Sequence, residues 1–224
     1  MSGVIRPNPA IRAVLWDFGG VFTESPFMAF AAFERSRGLP RDFLRRVNSV
    51  NADNNAWARF ERGEITLAEF GDAFEADSSA LGHSVRGEDV VALLYGALRP
   101  QMVEALRRCK EHFVNACLTN NVKTGSGHGL PASDARAREV SEVMALFDAV
   151  IESSLVGKRK PEPDFYRLAL ERLQLDPQQA VYLDDLGINL KPARALGMTT
   201  IKVESPEQAL TELEAVLEIS LADH

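Results

Sequence analysis

A chain of 224 residues with 25 Lys plus Arg against 32 Asp plus Glu carries a formal charge of −7, and 46% of it is hydrophobic. That is too apolar for a disordered polypeptide and long enough to bury a core without staples. The acidity excludes a general nucleic-acid binder, which would carry a basic stripe, and no apolar run approaches the roughly 20 residues that span a bilayer. Residues Met1 to Ala10 lack the apolar stretch of a secretory signal. The two cysteines, Cys109 and Cys117, form no disulfide framework, and no Cys/His spacing suggests zinc. The expectation is a reduced, cytoplasmic, globular protein without a nucleic-acid or membrane partner.

In chain order, short apolar runs stop abruptly at polar residues. Ala13-Val14-Leu15-Trp16 closes on Asp17, and Phe113 to Leu118 closes on Thr119-Asn120-Asn121. Ala149-Val150-Ile151 ends in Glu152-Ser153-Ser154, and Ala180-Val181-Tyr182-Leu183 ends in Asp184-Asp185; Thr199 to Val203 makes a fifth. Such runs fit strands buried on both faces, as in a parallel sheet. Helical patterns lie between them, from about Gln101 to Glu111, Ser133 to Leu146, Pro163 to Leu173 and Leu190 to Leu196. Gly197 stands where a C-cap glycine would, Asp176-Pro177 reads as an N-cap with proline at the first helical position, and Ser205 to Gln208 reads as a capping box opening a last helix to about Glu218. This alternation predicts an α/β fold with a doubly wound, Rossmann-like parallel sheet.

Ser25 to Leu98 breaks the pattern. Its apolar residues fall at helical spacing, as in Phe27, Phe30, Ala31 and Phe33, and its eight Arg and eleven acidic residues give it a net −3. It reads as a helical cap over 25–98 inserted into a core made of 1–24 and 99–224. Phe27, Phe30, Phe33 and Trp57 are assigned to its interior. The glycine-rich stretch Thr124 to Ala132 reads as a surface loop, since it lacks the G-x-S-x-G order of a nucleophile elbow. Cys109 and Cys117 sit in apolar segments and read as buried thiols.

In open α/β sheets ligands bind at the carboxyl ends of the strands. Those ends deliver Asp17, Thr119 and Asp184-Asp185, and the loop Gly157 to Pro163 delivers Lys160. Carboxylates, a hydroxyl and an ammonium on one rim can hold magnesium and a phosphate together, because hard oxygen donors suit that ion. Adjacent carboxylates such as Asp184 and Asp185 repel unless a cation joins them. In the basic run Lys158-Arg159-Lys160 the proline spacing singles out Lys160, and Lys158 and Arg159 are assigned to a solvated loop.

These motifs, in this order, resemble the haloacid dehalogenase-like hydrolase superfamily. Trp16-Asp17-Phe18-Gly19-Gly20-Val21 matches its first motif, Leu118-Thr119-Asn120 the second, Gly157-x-x-Lys160-Pro161-x-Pro163 the third and Tyr182-Leu183-Asp184-Asp185 the fourth. The stretches Ile151 to Gly157 and Leu183 to Arg194 look most like the amino-terminal phosphatase domain of soluble epoxide hydrolase. The resemblance implies a phosphohydrolase that uses Mg2+ and acts on a small phosphorylated metabolite, with Asp17 as nucleophile through an aspartyl-phosphate. By the same resemblance Thr119 and the Asn120 backbone hold phosphoryl oxygens and Lys160 neutralises developing charge. Asp17, the Gly19 carbonyl and Asp185 ligate metal, with Asp184 as ligand or supporting carboxylate, and Asn189 stands where many relatives have another acid. Full epoxide hydrolase activity is not expected of a chain ending at His224.

One position departs from the pattern. The second Asp that phosphatases of this kind place two residues after the nucleophile, to protonate the leaving alcohol, is Gly19 here. Loss of a positioned acid or base typically costs ~10²–10⁴ in rate. Slow turnover, an activated leaving group or a substitute such as Thr23 or Glu24 are the open readings. Two rivals stand beside the phosphatase: a metal-independent 2-haloacid dehalogenase, which does not need the Asp184-Asp185 pair, and a non-catalytic relative that binds a phosphorylated ligand or partner.

Overall fold

The computed structural model describes residues 7–94, 96–122 and 134–221. Five strands, β1 (Ala13–Trp16), β2 (Val114–Thr119), β3 (Ala149–Glu152), β4 (Ala180–Asp184) and β5 (Thr199–Lys202), form one sheet in the order β3-β2-β1-β4-β5. All neighbours are parallel, with Leu15 opposite Ala116 on one side and Tyr182 on the other. The predicted doubly wound sheet is therefore the one observed, and β1 lies at its centre.

Strict alternation divides the strand side chains between two cores. Val14, Trp16, Cys117, Val181 and Leu183 face one side, where α6 (Pro100–Cys109), α7 (Asp134–Met144) and α11 (Pro206–Leu217) cover them. Ala13, Leu15, Ala116, Leu118 and Tyr182 face the other, under α9 (Pro163–Leu173) and α10 (Gly187–Leu196). Cys109 and Cys117 are buried free thiols; burial pushes Cys109 up to about 12 and raises Cys117 as well, which disfavours the thiolate in both. No helix among the described residues is long and apolar enough to cross a membrane.

The helical boundaries follow the local chemistry with two exceptions. Gln208 N donates to Ser205 Oγ at 3.2 Å, which makes the capping box of α11 real. Asp176-Pro177, by contrast, opens only a single 3₁₀ turn, Pro177–Gln179, that runs straight into β4. α10 begins at Gly187, three residues before the sequence suggests, and carries Pro192 inside it. Burial of Leu190 and Ala193 against the sheet holds that helix through the proline, so packing overrides propensity. The Gly125 to Gly129 stretch lies outside the described residues.

Between β1 and β2 the chain forms α1 (Phe27–Ser36), α2 (Phe43–Ser49), α3 (Ala56–Glu61), α4 (Leu67–Ala80) and α5 (Gly87–Val91). These close on their own apolar cluster, which includes Phe30, Phe43, Phe60, Phe70 and Phe74, with Phe27, Phe33 and Trp57 packed against it. Their sequence explains the helices: Asn55 caps α3 through Ala58 N, and Thr66 with Glu69 makes a full capping box on α4. The chain enters and leaves this insert through two linkers that pair with each other. Glu24 N donates to Ala97 O at 2.9 Å and Arg99 N to Phe22 O at 2.8 Å, around a Thr23–Leu98 bridge.

Candidate active site

β1 ends one residue before Asp17, whose N–H still donates to Leu183 O at 2.8 Å and so continues the ladder. The register therefore brings Asp17 beside the end of β4, where Asp184 and Asp185 stand. Asp17, Asp184 and Asp185 each offer a carboxylate oxygen, and these oxygens lie within 4.8 Å of one another. Lys160, only 1% exposed, reaches in from the loop before α9: its Nζ is 2.7 Å from Asp17 Oδ1 and 2.9 Å from Asp184 Oδ2. Four of the sequence-derived residues, Asp17, Lys160, Asp184 and Asp185, therefore stand together.

Within this cluster the carboxylates differ in their partners. Asp184 is fully buried, and both its oxygens are engaged: Oδ1 accepts from Leu186 N at 2.8 Å and Asn189 Nδ2 at 3.0 Å, and Oδ2 accepts from Lys160 Nζ and the Tyr182 hydroxyl. Asp17 Oδ1 accepts from Lys160 and from Phe18 N at 2.6 Å, which leaves Oδ2 without a partner among the described residues. No described side chain hydrogen-bonds or ion-pairs with Asp185. Its carboxylate fills the space beside Gly20, where a Cβ would collide with it and where φ is +77°, so Gly20 is required twice over. The Arg99 guanidinium ties this loop down from the linker, donating to Gly20 O at 2.7 Å.

Electrostatics follow from burial and crowding. Burial raises Asp17 well above the ordinary carboxylate range, Lys160 opposes that rise, and Asp184 and Asp185 add to it. Burial disfavours the Lys160 ammonium, yet Asp17 and Asp184 outweigh that and hold its pKa above the usual lysine value. Burial and then Asp184 push Asp185 up to about 6. Lys160→Met is expected to leave two buried acids without their cation and to cost about 3–5 kcal/mol at pH 7. Carboxyls with raised folded pKa values stabilise at low pH and lose that contribution as pH rises. The urea midpoint of the variant should therefore recover toward wild type as the pH falls to 5.

The remaining candidates divide. Thr119 is 8% exposed at the end of β2, and no described residue takes its hydroxyl, so it is available to a ligand. The Asn120 side chain is committed elsewhere: its Oδ1 accepts from Lys160 N at 2.8 Å and its Nδ2 donates to Lys160 O at 3.0 Å. Gly19 is exposed and has open space where a Cβ would stand. Thr23 Oγ accepts from Gly20 N at 3.3 Å and donates to Glu24 O at 3.2 Å, so it braces the loop, and Glu24 is exposed. Asn189 Nδ2 donates to both oxygens of Asp184, at 3.0 and 3.1 Å.

Arg159 corrects the expectation of a solvated basic loop. Its side chain is 15% exposed, and its Nε lies 2.6 Å from Oε2 of Glu61, at the end of α3. Glu61 was not legible as a site residue, because nothing in its local sequence separates it from the other acids of the insert. Only the fold brings it to the strand ends.

A parallel sheet with a carboxylate–lysine–carboxylate cluster at its carboxyl rim defines a class. A family model for haloacid dehalogenase-like hydrolases matches residues 11–197, and the chain belongs to that family. Relatives include acyl-CoA dehydrogenase family member 10 of Mus musculus, 36% identical over 92% of this chain and 19% of its own length. Bifunctional epoxide hydrolase 2 of Sus scrofa is 34% identical over 95% of this chain and 40% of its own. This chain thus spans about a fifth and two fifths of those relatives. A sesquiterpene phosphatase of Aspergillus oryzae is 27% identical, covering 92% of this chain and 96% of the relative. Among solved structures, a HAD family enzyme of Bacteroides thetaiotaomicron in complex with magnesium and inorganic phosphate superimposes with a TM-score of 0.57 at 21% identity, over 86% of this chain and 93% of that one. The protein is a hydrolase of this family with phosphatases among its relatives.

Proposed function

We propose that the protein is a magnesium-dependent phosphohydrolase that cleaves a small phosphate ester through an aspartyl-phosphate on Asp17. The observation that carries this reading is the cluster itself: three carboxylates with oxygens within 4.8 Å of one another, one of them salt-bridged to a buried lysine. The donor set is all oxygen and suits magnesium. Asp185 has no protein cation on it and its carboxylate lies within 4.8 Å of that of Asp17, so it fits as the main ligand of an ion set beside Asp17, with the Gly19 carbonyl as a second ligand. Asp184, with both oxygens engaged, holds Lys160. Magnesium at those ligands would neutralise phosphoryl oxygens and draw the phosphate toward Asp17.

The chain's own groups then divide the work. Lys160 and Phe18 N–H grip Asp17 Oδ1, which presents Oδ2 to phosphorus for in-line attack. As the Oδ2–P bond forms, the P–O bond to the leaving group breaks, and charge spreads over oxygens faced by Thr119 and Lys160. Water then attacks phosphorus and returns the Asp17 carboxylate with inorganic phosphate. Neither proton has a carboxylate partner at position 19, so esters with acidic leaving groups are the preferred substrates. The insert acts as a cap that keeps bulk water out during the first step.

A screen of phosphate esters and 2-haloacids, with and without magnesium, tests this. Magnesium-dependent phosphate release with faster turnover of aryl or acyl phosphates than of alkyl phosphates is expected. Halide release without metal would replace the reading with the dehalogenase one, and ligand binding without turnover with the binding one. Magnesium is also expected to raise the melting temperature more at pH 7.5 than at pH 5.5. Asp185, at about 6, gives up its proton to bind metal. Without metal the sign runs the other way: an acid with a raised folded pKa stabilises below its unfolded value and loses that stability as pH rises through about 6. A magnesium shift independent of pH would remove Asp185 from the ligand set.

A further inference from the structure

The strongest feature outside the carboxylate cluster joins the insert to the loop that carries Lys160. Glu61 Oε2 accepts from Arg159 Nε at 2.6 Å and from Asn120 Nδ2 at 3.1 Å, and its Oε1 accepts from Trp57 Nε1 at 2.9 Å. Its side chain is 10% exposed and Arg159's is 15%, so this pair is largely withdrawn from water, where ion pairs are screened least. Asn120 in turn clasps the Lys160 peptide on both sides, through its N–H and its carbonyl. The same end of α3 touches the core at two further points. Ser153 Oγ donates to Glu61 O at 2.6 Å, and Gly63, at φ +69°, lets the chain pass so close to Ser154 that a Cβ would stand 2.6 Å from its carbonyl oxygen.

We propose that Glu61 is a positioning residue for Lys160: carried by the insert, it fixes Arg159 and Asn120, and through them the peptide from which Lys160 reaches Asp17. The inference rests on the phosphohydrolase reading, because Lys160 matters there through its hold on Asp17 and the transferring phosphoryl group. The physical logic is a three-part clamp. A carboxylate oxygen that satisfies an arginine and an amide at once fixes the relative position of both. The amide has no freedom left, since its oxygen and both uses of its nitrogen are engaged. Lys160 is buried and holds two acids, so a displacement of its peptide is transmitted to Asp17 rather than absorbed by solvent. The arrangement makes the reaction machinery complete only when the insert is seated on the core. Arg62 supplies the comparison: it also bridges insert and core, at 3.1 Å to Glu162, whose other oxygen accepts from Arg159 N at 3.2 Å, but it touches neither Asn120 nor the Arg159 side chain.

The test uses the full chain, with p-nitrophenyl phosphate and magnesium for turnover and Trp57 emission for the clamp. Trp16, buried in the core beside Asp17, contributes the remaining emission, so each change is read as a difference from the same variant in a Trp57→Phe background. Glu61→Gln and Arg159→Met are each expected to lower kcat about tenfold with KM within about twofold, since misplacement by a fraction of an ångström acts on the chemical step. Because the two residues act as a unit, the double variant should be no slower than the worse single one. Arg62→Ala should lower the melting temperature, because it removes another ion pair between insert and core, and leave kcat within about twofold. Arg159→Met should also move Trp57 emission, although Arg159 does not touch the indole. Wild-type kcat in a stably folded Glu61→Gln variant, or losses that add in the double variant, would overturn the proposal. If the wild-type protein releases no phosphate, the phosphohydrolase reading fails, and Trp57 emission decides the clamp alone. An emission change in Lys160→Met supports the linkage, and none refutes it.

Discussion

Asp17→Asn should lower magnesium-dependent phosphate release by roughly 10⁴-fold or more, the scale on which removal of a covalent nucleophile reduces turnover. The variant should fold. Asparagine has the same shape, its side-chain oxygen can still accept from Phe18 N–H, and Lys160 keeps Asp184 as its counter-charge at 2.9 Å. Burial penalises the charged form of Asp17, so neutralising it relieves a cost that the wild-type protein carries. The expected result is a protein at least as stable as wild type and without activity, with stability read by urea unfolding and activity by inorganic phosphate. Two outcomes would sink the assignment. Turnover that survives the substitution would require another nucleophile, and loss of activity through unfolding would leave Asp17 as a structural group only.

The opposite signs of those effects locate the site energetically. A group that is expensive to bury, costly in charge and yet flanked by a second buried acid is hard to explain as packing. Perturbed carboxyls with a specific cation partner in one cluster mark functional positions more often than structural ones. Here the geometry adds a reason. Asp184 is saturated and anchors Lys160, Asp17 is half-saturated, and Asp185 is open, so the unfilled valences face one place.

That division was only partly legible in the sequence. Short apolar runs closed by polar residues located the strands to within a residue or so; β1 and β4 are buried on both faces as such runs require, whereas the edge strand β5 exposes Thr199 and Lys202. The same runs put Asp17, Thr119 and the Asp184-Asp185 pair at strand ends. Which aspartate anchors and which stays open depends on the twist of the chain after β4. Period-two alternation held one clue: Tyr182 and Asp184 share a face, and the Tyr182 hydroxyl reaches that carboxylate. The Glu61–Arg159 pair could not be read, since its members lie 98 residues apart and meet only because α3 folds back over α8 (Ser153–Val156). Arg159 looked solvated because a basic loop is solvated unless another element brings an acid to it, and one sequence cannot show that the insert does so. The start of α10 at Gly187 could not be read because glycine is a poor helix former and the first buried apolar residue of the helix, Leu190, comes three residues later.

Gly19→Asp is expected to raise phosphatase activity toward alkyl phosphates by ~10²–10⁴, the range a positioned general acid supplies. Position 19 can accept the side chain. It is exposed, a Cβ there meets nothing within 4 Å, and its backbone lies outside the left-handed region. Its neighbour gives the contrast, because Gly20 has φ +77° and a Cβ there would strike Asp185, so Gly20→Ala should lose both stability and activity. The gain from Gly19→Asp should depend on the leaving group. Aryl and acyl phosphates leave without help, so their rates should change little, whereas alkyl esters need the proton. Gly19→Asn offers nearly the same bulk without a transferable proton and should gain nothing. A further negative charge beside Asp17, Asp184 and Asp185 should also lower the melting temperature without metal and steepen its rise with magnesium. Equal gains from aspartate and asparagine would show that bulk, not proton transfer, limits the wild-type site. No gain from either would mean that another group already supplies the proton.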